Sequence, residues 1–210
     1  KKEEKRKKWA NISPDSTIVV FSKKYNLFWM DKENFLKAVE DENDSTIVEN
    51  QWTTDGEKYF DYGTGSRWDS GQEDDQERKR ANVSWSHDSQ SFVYKKVDNR
   101  KIEDLWVLNS LGKRPKLETY KYHMAGEKEY PISNLLVFNV SSKDINEIIL
   151  DTIEQKDIYL FNHIRKKSET ADDFRPSMIL SKKGDIYFQV ISRDKKKMDT
   201  YVAKKGNYVP

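Results

Sequence analysis

The sequence contains no cysteine. That excludes disulfide cross-links, thiolate nucleophiles and Cys-ligated zinc together. Long apolar runs are also missing, and none approaches the roughly 18 residues that a membrane-spanning helix requires. No leader is visible, because the chain opens with charged residues and no apolar segment follows. An exported protein with this sequence is therefore expected to start further upstream. Charge of one sign is scarce as well. Lys and Arg number 38 against 36 Asp and Glu, a net charge of +2, so the basic excess of a dedicated nucleic-acid binder is absent. The mixed run Lys1 to Lys8 (KKEEKRKK) reads as a solvated, frayed end.

Leu, Ile, Val and Phe make up 47 of the 210 residues, just above the range in which low hydrophobicity signals disorder. The near-zero net charge and the 12% aromatic share place the chain on the folded side of that boundary. Its apolar runs are short and rich in β-branched and aromatic residues. They include Ile18 to Phe21, Leu27 to Met30, Phe92 to Tyr94, Leu105 to Leu108, Leu135 to Phe138, Ile158 to Phe161, Ile186 to Val190 and Thr200 to Val202. These are strand lengths separated by polar turns. One segment reads as a helix: Asp31 caps Lys32 to Glu40, with Phe35, Leu36 and Val39 on one face. The fold class is all-β.

A unit recurs along the chain. Ser13-Pro14-Asp15-Ser16 leads into IVVF, a turn at Lys23 to Asn26, and LFWMD. Trp85-Ser86-His87-Asp88-Ser89 leads into SFVY and then DLWVLN, while Ser181 to Gly184 leads into DIYFQV and then DTYVAKKG. Each copy is a polar turn, a strand, a hairpin and a second strand. Pro14 presets the backbone for a type I turn, and the Ser and Asp side chains can bond nearby backbone N–H groups. The copies start 73 and 95 residues apart, wider than the minimal 40 to 50 residues of a propeller blade. The intervening polar stretches would then be insertions. Two architectures fit: blades of a β-propeller, or a β-sandwich whose hairpins are alike by chance.

The order of motifs resembles the N-terminal β-propeller domain of dipeptidyl peptidase IV-like enzymes of the prolyl oligopeptidase family. The matching strings are W-S-x-D-S at Trp85 to Ser89, D-L-W-V at Asp104 to Val107, Y-x-M-A-G-E at Tyr122 to Glu127 and L-x-V-F-N at Leu135 to Asn139. Upstream, Ser13 to Asp31 resembles the family's S-P-D-G blade with its N-L-Y strand, and Thr53 to Gly56 its T-x-D-G turn. Downstream, Ile191 to Asp194 and Lys197 to Asp199 resemble the hairpin of a later blade. The likeness runs from about Ser13 to Lys205. It implies a partial β-propeller of about three blades of antiparallel strands with one short helix. A charged segment would occupy residues 1–10 and the propeller part 11–210, with blade-like units near 11–56, 81–140 and 157–206.

The same resemblance implies a non-catalytic part of a serine peptidase that gates peptide substrate to a hydrolase domain, in a periplasmic or extracellular setting. Two departures matter. The family's paired-Glu motif, which grips a substrate's amino terminus, is expected within Tyr62 to Arg80. Here only Glu73, Asp74, Asp75 and Glu77 are acidic at suitable places, and the aromatic frame is missing. The G-x-S-x-G nucleophile elbow is absent, the nearest string being Gly63-Thr64-Gly65-Ser66.

Single residues lend themselves to plain readings. His87, His123 and His163 have no adjoining nucleophile motif and no metal-ligand spacing. The acidic cluster is followed at once by Arg78, Lys79 and Arg80 and reads as a solvated loop. Trp85 and Trp106 read as packing between blades. Asn11, Asn82 and Asn139 open N-x-S strings, a pattern with many chance matches. No catalytic, cofactor-binding or metal-binding residue is assigned. The competing class is a stand-alone TolB-like propeller that binds a protein or ligand. A cut blade array is expected to expose apolar faces carrying residues such as Phe28, Trp106 and Phe188, and so to self-associate.

Overall fold

In a computed structural model the described residues are 7–63, 68–69, 76–149, 157–160, 178–192 and 194–208, with 68–69 and 157–160 described by backbone alone. The elements in chain order are β1 (Asn11–Ile12), β2 (Ile18–Lys23), β3 (Asn26–Asp31), α1 (Lys32–Glu40), β4 (Asn50–Gln51), β5 (Trp68–Asp69), β6 (Ser84–Trp85) and β7 (Ser91–Asp98). They continue with β8 (Asp104–Asn109), β9 (Lys116–Lys121), β10 (Ile132–Asn139), β11 (Ile145–Glu147), β12 (Asp157–Leu160), β13 (Ile186–Ile191) and β14 (Met198–Ala203).

Among the described residues the strands form four antiparallel sheets. The first runs β1-β2-β3-β4, the second β6-β7-β10-β11, the third β12-β13-β14, and a small fourth sheet β5-β9-β8. The first three stack face to face. Val20, Leu27, Trp85, Phe92, Tyr94 and Phe138 fill the space between sheets one and two. Val93, Leu135, Val137, Ile186, Phe188 and Val190 fill the space between two and three. This explains the strand compositions. β7 and β10 send successive side chains into different cores, so they read as unbroken apolar runs. β13 faces one core only, and Ile186, Phe188 and Val190 alternate with half-buried Tyr187, Gln189 and Ile191.

The far side of sheet one is covered. Val19, Phe21 and Met30 pack against Ala38 of α1 and against Trp9 and Phe35. The expected helix forms over Lys32–Glu40, and the Asp31 carboxylate caps it by accepting from the Asn34 N–H at 2.8 Å. Its buried face differs from the expectation: Asn34 and Ala38 point inward, while Leu36 is exposed. Asn34 is inside because its amide oxygen accepts from the Val48 N–H at 2.8 Å, a tertiary bond that hydrophobic periodicity does not encode.

A second correction concerns pairing. The sequence reading joined SFVY to DLWVLN as a hairpin. The structure pairs β7 with β10 along eight residues, from Ser91↔Asn139 to Asp98↔Ile132. The D-L-W-V-L-N strand, β8, pairs instead with β9 and forms an inserted hairpin. β10 supplies Leu135 to Phe138 to both cores, whereas β8 has polar or solvated neighbours, so burial selects β10 as the partner. The first and third hairpins, β2–β3 and β13–β14, are paired as the sequence suggests.

An S-x-D turn forms before β2 and β7 at the expected Ser13 and Ser86, but the third instance is Ser192 in the β13–β14 hairpin, whereas the expected copy at Ser181 is a turn closed by the Gly184 N–H donating to the Ser181 carbonyl. The Ser13, Ser86 and Ser192 hydroxyls donate to Asp15, Asp88 and Asp194 at 2.6, 2.6 and 2.7 Å. The same hydroxyls accept from the N–H groups of Ile18, Ser91 and Lys197. The fourth residue, Ser16, Ser89 or Lys195, sits at φ near +60°. Each turn therefore closes its own backbone bonds without a glycine. The first two turns also touch, since the Asp15 N–H donates to the Ser89 hydroxyl at 3.1 Å. Lys205 reaches Asp88 at 3.4 Å. Corresponding ends of neighbouring sheets thus gather at one place.

Candidate functional site

Among the described residues, the richest cluster of ionisable and aromatic groups lies where sheets one and two meet, on the T-T-D-G loop after β4. The β2–β3 turn places Lys24 and Tyr25 at φ +49° and +65°, the pair of conformations a type I′ hairpin needs. Neither residue is glycine, so the loop must hold the turn. The Thr53 hydroxyl accepts from the Leu27 N–H at 2.9 Å and donates to the Asn26 side-chain oxygen at 3.1 Å. That oxygen also accepts the Gly56 N–H at 2.9 Å. A Cβ on Gly56 would stand 2.2 Å from the Tyr25 carbonyl oxygen, which is why glycine occupies this position.

Asp55 turns the other way, towards β7. It accepts from Lys96 Nζ at 2.7 Å and from the Tyr62 hydroxyl at 2.9 Å. The Lys96 ammonium is buried and lies 3.4 Å from the Phe60 ring centroid and 4.2 Å from that of Tyr62. Burial raises the Asp55 carboxyl, but the bonds from Lys96 and Tyr62 overcome it and hold it below its ordinary value. Burial lowers Lys96, against the opposing pull of Asp55. Asp61 is pushed up by burial despite accepting the Gly63 N–H at 2.7 Å. Tyr62 and Tyr94 are both raised by burial first and neighbouring carboxylate charge second. The Tyr94 hydroxyl donates to the Gly63 carbonyl at 3.0 Å. At the rim, Arg100 forks onto Asp98, reaches Glu57 and lies 4.3 Å from the Phe60 centroid.

Chemically this cluster positions chain. Every charge in it faces a partner, and the buried ammonium has no open side for a ligand. What it fixes is Tyr62 and Gly63, the start of the stretch in which the resemblance expects paired acids. Glu73, Asp74, Asp75, Thr64, Gly65 and Ser66 lie outside the described residues, as do His163 and Arg193; Glu77 is exposed.

The remaining sequence candidates separate. His87 Nε2 is 3.1 Å from the Ile179 carbonyl, a side-chain contact to the segment that precedes β13. His123 is half-buried in the loop after β9. Trp85 packs between sheets as expected, buried against Phe92 with its indole N–H donating to Asn11 at 3.0 Å. Trp106 does not: it lies on the inserted hairpin and is solvated. Phe188 is buried and Phe28 half-buried against α1, so neither is an exposed blade face. Asn11 is buried with its amide donating to the Ala81 and Val83 carbonyls, whereas Asn82 and Asn139 are exposed.

Sequence reasoning missed Lys96 and Tyr94. A signal was present: continuing the alternation of Phe92 by two residues reaches Tyr94, and by two more reaches Lys96, on the same core-facing side. It also missed Lys143, at φ +64° in the β10–β11 turn, whose ammonium lies 3.9 Å from the Trp29 centroid and 4.6 Å from that of Trp52. This cation and the edge contacts of Trp52 with Phe92 and Phe138 tie sheet two to sheet one.

Stacked antiparallel sheets, with the Ser13 and Ser86 turns in contact at one end, define the class: a partial, propeller-like all-β domain. The chain belongs to the family described as the dipeptidyl peptidase IV (DPP IV) N-terminal region, which matches residues 1–208. Its fold is similar to Porphyromonas gingivalis dipeptidyl peptidase 4, with a TM-score of 0.62 and 20% identity over 96% of this chain and 24% of that one. It is also similar to a putative dipeptidyl aminopeptidase IV from Bacteroides ovatus, with a TM-score of 0.55 and 12% identity over 96% of this chain and 22% of that one. The chain thus spans about a quarter of the length of these structures. None of the curated proteins matches it.

Proposed function

We propose that this chain is a non-catalytic, substrate-screening part of a dipeptidyl peptidase IV-like serine peptidase, acting beside a hydrolase domain that carries the nucleophile. Family membership supports the peptidase assignment. The observation that supports the screening role is the side-by-side setting of three short segments, β1, β6 and the Met178–Ile179 segment before β13. Met178 bridges Trp85 of β6 in parallel, and Asn11 of β1 donates to the Ala81 and Val83 carbonyls beside β6. Adjacent inner segments of this kind form a wall that a peptide would pass. The pinned Tyr62–Gly63 pair marks the start of the stretch in which the resemblance expects the residues that meet the peptide's amino terminus.

The test is enzymatic. This chain alone, given an Xaa-Pro chromogenic dipeptide, is expected to show no turnover sensitive to a serine-directed inhibitor. The longer protein that contains it is expected to show such turnover, and to carry a G-x-S-x-G elbow downstream. Inhibitor-sensitive turnover by the 210-residue chain would refute the non-catalytic reading. A reading frame with no hydrolase downstream would favour the stand-alone binding propeller instead.

A further inference from the structure

Trp29 and Trp52 form a corner at the joint between sheets one and two. Trp29 lies on β3, and Trp52 directly follows β4. Their ring centroids are 6.3 Å apart and the ring planes stand at 66°. Both side chains are half-buried. Trp52 is held from two sides. Its ring makes T-shaped contacts with Phe92 at 5.1 Å and Phe138 at 5.7 Å. Its indole N–H donates to the Lys143 carbonyl at 3.3 Å. Core side chains and one backbone oxygen therefore build this corner, and its shape does not require the Lys143 side chain.

The Lys143 ammonium fills the corner, 3.9 Å from the Trp29 centroid and 4.6 Å from that of Trp52. A cation is drawn to the negative face of an aromatic ring, and to indole most strongly. Among the described residues no carboxylate pairs with this ammonium, and burial lowers the pKa of the amine. Two effects oppose the placement. The backbone at Lys143, φ +64°, is a left-handed conformation that favours glycine or asparagine over lysine. The ammonium also gives up water to sit between the rings. The turn itself is framed by Asn139, whose side-chain oxygen accepts from the Ser141 and Ser142 N–H groups at 3.0 Å. Residues Ser141 to Asp144 are exposed, so the lysine can withdraw without opening the core beneath. A cap held by the rings and opposed by strain and desolvation is one that a better cation can replace. An alkylated ammonium is such a cation. It keeps the attraction to the rings and is less strongly hydrated than a lysine head.

We propose that Trp29 and Trp52 form a binding site for a small, free alkylated ammonium ion, with Lys143 as its built-in cap. The site does not depend on the peptidase reading.

The test empties the corner without moving its walls. Lys143→Gly suits the left-handed backbone and keeps the carbonyl that orients Trp52. Choline is titrated into the full 210-residue chain while the indole N–H resonances are followed by NMR. In Lys143→Gly the Trp29 and Trp52 signals should shift saturably, and the other four of the 6 tryptophans serve as internal references. Lys143→Asn, which also tolerates this backbone, should behave in the same way. The unmodified chain should bind choline at least about tenfold more weakly, because its cap must first withdraw. The neutral isostere of choline, with carbon in place of nitrogen, should bind Lys143→Gly at least about tenfold more weakly than choline does. Phosphatidylcholine vesicles present the same headgroup and should not bind, because the corner is recessed between two sheets. Four results would overturn the assignment: no saturable shift in either variant, equal affinity for the neutral isostere, equal affinity of the capped and uncapped chains, or binding of vesicles without binding of free choline.

Discussion

The stacked sheets and the inserted hairpin use the same kind of strand for opposite ends. β7 and β8 are both apolar in sequence, SFVY against LWVL, and both are bounded by polar turns. β7 lies in the middle of the stack with Phe92, Val93 and Tyr94 buried. β8 lies at an edge with Trp106, Val107 and Leu108 exposed. The contrast shows that apolar composition names a strand but not its neighbour. What separates the two is whether a second sheet covers each face, and that depends on residues distant in sequence, such as Leu135 to Phe138.

The largest effect that would test this contrast is a matched pair of tryptophan truncations. Trp85→Ala should cost about 3 to 5 kcal/mol, as expected for a buried indole leaving a cavity, and it also takes the indole N–H away from the Asn11 side-chain oxygen. Trp106→Ala should cost under about 0.5 kcal/mol, as at a surface position. Urea unfolding of the two variants measures both, and equal losses would erase the distinction between stack and hairpin.

Next in size is Gly56→Ala. The added methyl meets the Tyr25 carbonyl, so the β2–β3 turn must shift, at about 1 to 3 kcal/mol for an overpacked site. Gly112→Ala in the hairpin loop has its nearest neighbour at 3.5 Å and should change the unfolding midpoint little.

Smaller still are the turn hydroxyls. Ser86→Ala removes a partly buried bond to Asp88 and should cost about 1 kcal/mol. Ser192→Ala removes the same bond in an exposed turn and should cost measurably less by thermal denaturation.

Acid gives the subtlest comparison, because two carboxylates in one loop respond with opposite sign. Asp55 is depressed, so its stabilisation is present above the ordinary value of 3.8 and is lost as pH falls through its lower folded value. Asp61 is raised, so its favourable protonated state is complete below 3.8 and is lost as pH rises through its higher folded value. Asp61→Asn, which keeps the acceptor for the Gly63 N–H, should stabilise the protein more at pH 7 than at pH 4. Asp55→Asn should destabilise it more at pH 7 than at pH 3. Denaturant midpoints across this range decide the signs.

Much of the local structure was legible. The helix and its Asp31 cap, the β2–β3 and β13–β14 hairpins, and the Ser–Asp turns follow from short-range chemistry. A serine hydroxyl bonding an aspartate two residues on needs nothing from elsewhere in the chain. The candidate cluster was legible only in part. T-T-D-G was visible as a turn, but its role depends on Lys96 and Tyr94, which lie some 40 residues away in sequence. Lysine at the end of an apolar strand reads as a solvated terminus until a carboxylate and two aromatic rings are known to face it.

The sequence by itself therefore determined an all-β chain, its strand positions, its turn chemistry and its family likeness, because these rest on contacts within a few residues. Only the tertiary structure decided that β10 rather than β8 joins β7, that Trp85 is core and Trp106 is surface, and that Lys96 is a buried strut. Those outcomes turn on which apolar faces cover one another, and burial is a property of the assembled sheets rather than of any single strand.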